Sequence, residues 1–386
     1  MNSISPVDPR IKRGKQKIVV DKLTKLAKKM GPGAKLPTAR ELSRALGITT
    51  ATLNRSLEHL EGQGIIRCRQ GSGIYVDNDV LQHRVGLVFG ENIFSSATSP
   101  FGSLMIKHCA QRAAELNKRF SFFLDLASSN GVMDGVGVPV HQDLVDALKG
   151  GKLDGVIIIA RATVEQEAWL RSQGIPVISA ESRIGAYEPG SESIAFDYQK
   201  LTYLGVGRLM RAGCKTVGLL GVLMEHREMF KKALKKQGLS CKEEWINCPS
   251  VVDATPADTH EQQGRDLAEQ LLDQSGWTKK SKKASNLPEG ILITDDILAR
   301  GALTLLSERG VVIGKDMLVC THANKGSLEL AEWGAKILRV EFDPADMARA
   351  MFDMLELLIS GKPHPSPHYV SPVLEGDESR HVATLP

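Results

Sequence analysis

Aromatic residues make up only 5% of this 386-residue chain, and its six cysteines are scattered with no CxxC and no paired spacing. That scatter excludes a disulfide framework and points to reduced, mostly packing thiols in a cytoplasm. Cys241 and Cys248 lie near His226, but the spacing is wrong for structural zinc. No run approaches the roughly 20 apolar residues of a membrane span. The start, MNSISPVDPRIKRGKQK, has cations but no apolar core of signal-peptide length behind them, so no membrane partner is expected. No GxGxxG opens a strand–helix unit, and no Walker or GxSxG sequence is present, so dinucleotide, P-loop and hydrolase chemistry have no motif. With no nucleophile–base pair or metal cluster to name, no enzyme, no cofactor and no metal are expected.

What is present is size, glycine and an uneven charge. The chain is 42% hydrophobic, enough for at least two cores, and its 36 glycines suit an α/β fold with many tight connections. The net charge of +4 conceals an asymmetry. Residues 1–80 carry 15 Lys/Arg against 7 Asp/Glu, a balance of +8; the rest carries 34 against 38, a balance of −4. A basic module on a mildly acidic body is the footprint of polyanion binding by the first part alone.

The basic module has a pattern of its own. An apolar face of Ile18, Leu23, Leu26, Ala27 and Met30 predicts a helix over roughly 16–30, ended by Gly31-Pro32-Gly33. Thr38-Ala39-Arg40-Glu41 has the form of a capping box, with Leu42, Ala45 and Leu46 pointing inward and Gly47 as the stop. Thr49 is an N-cap for the next helix, in which Leu53, Leu57 and Leu60 face the core at i, i+4 and i+7. Burying that stripe leaves Thr50, Ala51, Asn54 and Arg55 on the opposite side, near the end where recognition helices meet base edges. Ile65–Arg69 and Gly73–Val76 read as strands joined across Gln70-Gly71-Ser72, a wing whose glycines permit close approach to sugar-phosphate. Arg67, Arg69 and Gln70 suit phosphates or the minor groove.

Residues 36–76 resemble the DNA-binding domain of GntR-type regulators. The family pattern LPSxRxLAxxLGVSRxTVRxALxxLxxxGLI, followed by RxGxGxFV, is matched by LPTARELSRALGITTATLNRSLEHLEGQGII and RQGSGIYV. The resemblance implies a double-stranded DNA operator as partner, met by Lys35, Thr38, Arg40, Thr49, Thr50, Ala51, Thr52, Asn54, Arg55, Arg69, Gln70, Gly71 and Ser72. Two family arginines are Thr50 and Asn54 here. Arginine reads guanine, whereas Asn suits adenine and a Thr or Ala methyl suits thymine, so an operator richer in A·T is expected beneath these residues.

After a polar connector, residues 77–83, the pattern changes. Strand signals at 85–89, 120–126, 155–159, 176–179, 216–220 and 291–294 alternate with helix signals at 101–116, 141–148, 163–173, 198–212, 227–237, 264–274 and 298–309. That alternation predicts parallel sheets with helices on both faces, in two halves meeting near Asp197, with ligands taken beyond the strand C-termini. Lys279–Lys283 reads as a solvated loop and the tail beyond Leu374 as loosely ordered.

Residues 84–374 resemble the effector domain of LacI-type repressors, related to periplasmic sugar-binding proteins. KLDGVIII, GIPVISAE, IAFDYQKLTYLGVGRLMRAGCKTVGLLG and GILITDDILARGALTLLSERGVVIGKDMLV occur in the family's order. The resemblance implies a two-lobed body over 84–386 and a winged helix-turn-helix over 1–76. Its ligand positions fall on Phe101, Glu181, Asp197 and Asp296, and its sugar-clamping arginine falls on Tyr203. The family's GxDD is replaced by Thr321-His322-Ala323-Asn324, and His322 and His226 lack any pairing pattern, so structural roles are expected of both. Carboxylates and a tyrosine suit a sugar or polyol-like effector; Arg161 and Arg183 suit a carboxylate or phosphate instead.

The chain therefore reads as an effector-responsive DNA-binding repressor of the cytoplasm, acting as a homodimer on paired half-sites, an arrangement also found among arabinose-type regulators. The competing reading is a solute-binding protein with a vestigial reader.

Overall fold

The computed structural model describes residues 9–80, 84–89, 101–124, 132–133, 139–159, 163–181, 192–248, 260–278, 286–363 and 368–376. It forms two compact units. One comprises 1–87, 113–156 and 164–176; the other comprises 88–112, 157–163 and 177–386.

The first unit begins with α1 (Pro9–Met30), α2 (Ala39–Leu46), α3 (Thr50–Gly62) and the hairpin β1 (Ile66–Arg69) and β2 (Gly73–Val76). The hairpin is antiparallel, with Ile66 opposite Val76 and Arg69 opposite Gly73. Residues 34–36 add a third rung: Leu36 N–H donates to Ile74 O and Val76 N–H to Ala34 O, both at 2.8 Å. Thr38 and Glu41 form the expected capping box, and Gly47 closes α2 in the left-handed region at φ 63°. Loss of such a cap costs about 1 kcal/mol.

The stripe of α3 is buried as read, with Leu53 and Leu60 fully enclosed and Leu57 beside them. The face of α1 differs. Val19, Val20, Leu23 and Ala27 are buried, whereas Ile18 is 56% and Met30 39% exposed. The tighter i, i+3/4, i+7/8 set begins one residue later, and helical rotation of about 100° per residue turns Ile18 out of it. Ala45 is likewise exposed rather than inward, leaving Leu42 as the buried anchor of α2. Nor is the connector wholly polar surface. Val80 belongs to the reader core, and buried Asp77 donates its N–H to Ile65 O. The packed reader thus runs past residue 76; residues 81–83 lie outside those described.

The alternating body follows: β3 (Arg84–Phe89), α4 (Phe101–Glu115), β4 (Arg119–Phe123), β5 (Val132–Met133), β6 (Pro139–Val140), α5 (Gln142–Lys149), β7 (Gly155–Ile159), α6 (Val164–Ser172), β8 (Val177–Glu181) and β9 (Ser193–Phe196). Next come α7 (Tyr198–Arg211), β10 (Val217–Leu220), α8 (Glu225–Gln237), β11 (Ile246–Asn247), α9 (His260–Gln274), β12 (Gly290–Ile293) and α10 (Asp296–Glu308). The alternation then continues beyond the elements read from sequence, through β13 (Leu318–Asn324), β14 (Leu338–Phe342), α11 (Pro344–Ile359), β15 (His368–Val370) and β16 (Val373–Leu374).

One six-stranded sheet has the order β15-β9-β8-β7-β3-β4 and the other β11-β10-β12-β13-β14-β16. The second is parallel except for its last pair, β14 with β16. Two parallel sheets with intervening helices match the α/β architecture expected from the alternation. Among the described residues, no helix is long and apolar enough to cross a membrane.

The second unit owes one feature to glycine. A Cβ on Gly301 of α10 would land on the carbonyl of Glu261, and one on Gly264 of α9 would land on the carbonyl of Leu298. These reciprocal gaps let the two helix backbones touch. They hold the start of α10, which carries Asp296, against the start of α9, which carries His260.

Candidate nucleic-acid interface and effector pocket

The reader presents one helix face and one wing. Thr50, Ala51, Asn54 and Arg55 are exposed along the first turns of α3, on the side away from the buried leucines. Thr49 caps that end, accepting from Thr52 N–H at 3.3 Å, and the two hydroxyls lie 3.0 Å apart. The Thr38 hydroxyl is similarly engaged with Glu41 Oε2 at 2.8 Å. Thr38 and Thr49 therefore serve first as N-caps that fix the starts of α2 and α3, with Thr52 bonded to the second cap. Backbone hydrogen bonding to Thr38 holds the Glu41 carboxyl below its ordinary pKa. Arg40 is exposed one helix earlier.

The wing tip, Gln70-Gly71-Ser72, is fully exposed, with Gly71 at φ +73°. Behind it, Tyr75 is flanked by two cations: the Lys35 ammonium lies 5.7 Å and the Arg69 guanidinium 5.2 Å from the ring centre. Ser72 Oγ sits 2.8 Å from the Tyr75 hydroxyl and steadies the turn. Arg67, one of the expected phosphate ligands, instead pairs with buried Asp77 at 2.5 Å. Its register on β1 points it at the chain segment that leaves β2.

The far end of α3 is also anchored. Arg84 donates to Gln63 O and, at 3.0 Å, to Gly151 O, while its backbone N–H donates to Asp154 at 2.8 Å. Arg119 pairs with Asp79. Within the first unit, the recognition helix thus ends on the α5–β7 turn of the body.

In the second unit, polar side chains gather at the C-terminal ends of β12 and β13, where open parallel sheets take ligands. Asp295 caps α10, accepting from Leu298 N–H at 2.8 Å, and meets His260 Nδ1 at 3.4 Å. Burial pushes its carboxyl up, but the charge and hydrogen bond of His260 outweigh this and hold it below the usual carboxylate range. Asp296, only 3% exposed, accepts from Asn324 Nδ2 at 3.0 Å. Burial, helped by the neighbouring Asp295 charge, raises its pKa.

His322 stands beside them on β13, and its ring, like those of Phe196 and Phe342, is part of an aromatic cluster with spacings of 4.3–6.2 Å. Phe101 at the start of α4 joins through Phe196 at 5.6 Å. His226 lies behind, with Nδ1 2.8 Å from Thr294 Oγ1 and its ring 4.9 Å from Tyr198. Burial depresses its pKa to about 3, so it is neutral. A pocket of about 190 Å³ opens beside Asp296 and Asn324, which line it together with Ser327, Glu329, Arg339 and Glu341.

Of the expected ligand residues, Phe101 and Asp296 are brought to one cluster. Asp197, between Phe196 and Tyr198, is the N-cap of α7, accepting from Lys200 N–H at 2.9 Å. Tyr203 is 41% exposed and packs under the Lys236 ammonium, 5.0 Å from its ring centre. The residue of α7 that faces the cluster is Tyr198, next to the strand end; five residues later the helix has turned by about 140°. Glu181 ends β8, and Arg161 and Arg183 lie outside the described residues. His322 and Asn324 escaped sequence reasoning as site residues. Their signal was positional: THAN stands at a strand end where the resembled family has GxDD.

Two folds define the class of architecture: a winged helix-turn-helix module first and a parallel α/β body second. Residues 19–76 match the model for bacterial regulatory proteins, gntR family, and residues 206–376 match the periplasmic binding protein-like domain. The HTH-type transcriptional repressor PurR of Actinobacillus pleuropneumoniae serotype 3 is 24% identical over 190 residues, covering 47% of this chain. The match takes in 51% of that repressor, so the chain spans about half the length of the curated relative it matches. Among solved structures, a transcriptional regulator CelR–cellobiose complex superposes with a TM-score of 0.57 at 17% identity, over 88% of this chain and 98% of its own. The transcription regulator CcpA of Lactococcus lactis gives 0.55 at 16%, over 75% and 95%. These likenesses establish the fold.

Proposed function

We propose that this chain is a transcriptional repressor that binds a two-fold operator as a homodimer and is governed by a small polyhydroxylated effector. One observation carries the reading: Leu53, Leu57 and Leu60 are buried while Thr50, Ala51, Asn54 and Arg55 on the other side of α3 are open to solvent. A +8 balance over residues 1–80 supplies the attraction for phosphate. In the reading proposed here, the reader expected over residues 1–76 packs on through Val80, and residues 84–386 form the sensor. Asp296 and Asn324 take effector hydroxyls, with Phe101 at the margin; Glu181 is a further proposed contact, as are Arg161 and Arg183, which lie outside the described residues. The CelR relative was solved with cellobiose and the PurR relative is a repressor, which supports the effector class and the sign of regulation. The site of action is the cytoplasm.

Selection of bound duplexes from random DNA tests the reader. The expected product is a palindrome whose half-sites are about one helical turn, roughly 34 Å, apart, with A·T pairs under Asn54 and Ala51. Half-sites centred on G·C runs would reject the readout, and no enrichment would reject the repressor. A thermal-shift panel of sugars and polyols tests the sensor, since an effector raises stability by mass action. The shift given by the best ligand is expected to vanish in Asp296→Ala; an unchanged shift removes Asp296 from the pocket.

A further inference from the structure

We propose that Asp295, Asp296 and His322 form a binding site for one divalent first-row transition-metal ion, beside the pocket that Asp296 lines. Each of the three offers one ligand atom, and these atoms lie within 4.8 Å of one another. That spacing lets a single ion draw all three donors in with small side-chain movements.

Three features support a cation here rather than a closed polar core. His322 is 3% exposed, yet neither of its ring nitrogens has a hydrogen-bond partner. A buried imidazole left so forfeits about 1–3 kcal/mol for each polar atom, which a ligand to one nitrogen would recover. Second, Asp295 and Asp296 are adjacent in sequence and turned to the same point, and among the described residues neither pairs with an Arg or Lys. A doubly charged ion relieves their repulsion. Third, both carboxylates are oriented from outside the cluster, Asp295 by His260 at 3.4 Å and Asp296 by Asn324 Nδ2 at 3.0 Å. Metal-binding carboxylates are held by such outer contacts.

The donor set narrows the ion. One imidazole with two carboxylates suits manganese, cobalt or zinc, while calcium and magnesium prefer oxygen alone. Three protein donors leave positions open on a four- to six-coordinate ion, and the pocket lies on that side through Asp296. Asn324 Oδ1, also unpartnered, is a further oxygen donor on β13. Linear spacing does not reveal this group, because His322 meets the two aspartates only where β12 and β13 lie side by side.

Metal content of the tag-free full chain decides the matter without DNA or effector, so its outcome is separable from the fate of the repressor reading. Chelator-stripped protein is titrated with Mn²⁺, Co²⁺ and Zn²⁺ separately, with bound metal counted after gel filtration. One ion per chain is expected, and Asp296→Asn or His322→Gln should weaken binding by about a hundredfold or more, beyond the 10–100-fold that outer contacts are worth. Circular dichroism checks that each variant folds. Should His322→Gln fail to fold, the spin-echo spectrum of Mn²⁺ on the unmodified chain takes its place and is expected to show imidazole nitrogen coupling. No stoichiometric ion, binding undiminished in both variants, or a manganese spectrum without nitrogen coupling would each overturn the proposal.

Discussion

The reader and the sensor build their sites in opposite ways. In the reader, every exposed DNA candidate on α3 lies within six residues, Thr50 to Arg55, and one local fact fixes them: which side of a single helix is buried. In the sensor, Phe101, Tyr198, His226, Asp296 and His322 come from five elements spread over more than two hundred residues. The first site is set by helical period and needs only a core beneath it. The second exists only when the sheet places the ends of β12 and β13 side by side. A substitution therefore acts on the reader through contact chemistry, and on the sensor through packing as well.

The sharpest way to break this contrast is to disturb the sensor's packing alone. Gly301→Ala sets a methyl against the Glu261 carbonyl where the backbones of α9 and α10 meet. We expect a loss of about 3 kcal/mol in the denaturant transition of the second unit, while DNA binding by the intact fraction is unchanged. Equal loss in both readouts would mean that the two regions are not separable.

The next effect is on pH. His226 faces Tyr198 and Thr294, with the charges of Asp295 and His322 close by, and burial lowers its pKa to about 3. A folded pKa below the unfolded value of 6.5 means that the unfolded chain binds the proton first as the solution is acidified. The stabilising contribution is full above pH 6.5 and is lost progressively as pH falls toward about 3, to the extent of a few kcal/mol. His226→Gln should flatten this part of the stability curve, as read by urea melts at pH 7 and pH 5. A curve that keeps its slope in the variant assigns the loss to other groups.

Smaller still are the changes in the reader. Asn54→Ala is expected to cost about 1–3 kcal/mol of discrimination at one base pair, with the sensor's melting temperature unmoved. Competition binding with single-position operator variants measures it, and uniform weakening at all positions would make Asn54 a phosphate ligand instead. Thr38→Ala removes the α2 capping box and should lower reader stability by about 1 kcal/mol. Because Glu41 is held below its ordinary pKa chiefly by Thr38, the cap is fully formed above the unfolded carboxylate range and fades as acid protonates it. Thermal melts at neutral and at acid pH should therefore show a smaller gap between Thr38→Ala and the parent in acid, where the Glu41 half of the box is lost.

Legibility followed the same divide. The capping box, the α3 stripe, the wing and its tip were readable because each depends on residues within a few positions of one another. The errors were local too: Ile18 and Met30 lost the α1 face to Val19 and Val20, and Val80 extended a core thought to end at Val76. In the body, the strand–helix alternation was readable as far as Arg309, apart from the short strands β5, β6, β9 and β11. The C-terminal strands β15 and β16 were not, since they pair with β9 and β14 across long stretches of sequence. Resemblance to a known effector domain pointed to Asp296, which lines the pocket, and to Tyr203, which packs under Lys236 while Tyr198 is the tyrosine turned inward. His322 was set aside because a lone histidine shows no partner pattern until β12 and β13 bring it to two aspartates.

The account stands on the solvent-facing side of α3 and the wing gripping a duplex. Its most direct measurement is the salt dependence of affinity for the selected operator, compared between the parent chain and an Arg40→Ala/Arg69→Ala variant of unchanged circular dichroism. The account predicts weaker binding at every sequence and a slope of log K against log salt shallower by about 1 for each arginine removed. The same affinity and the same slope in both proteins would contradict it.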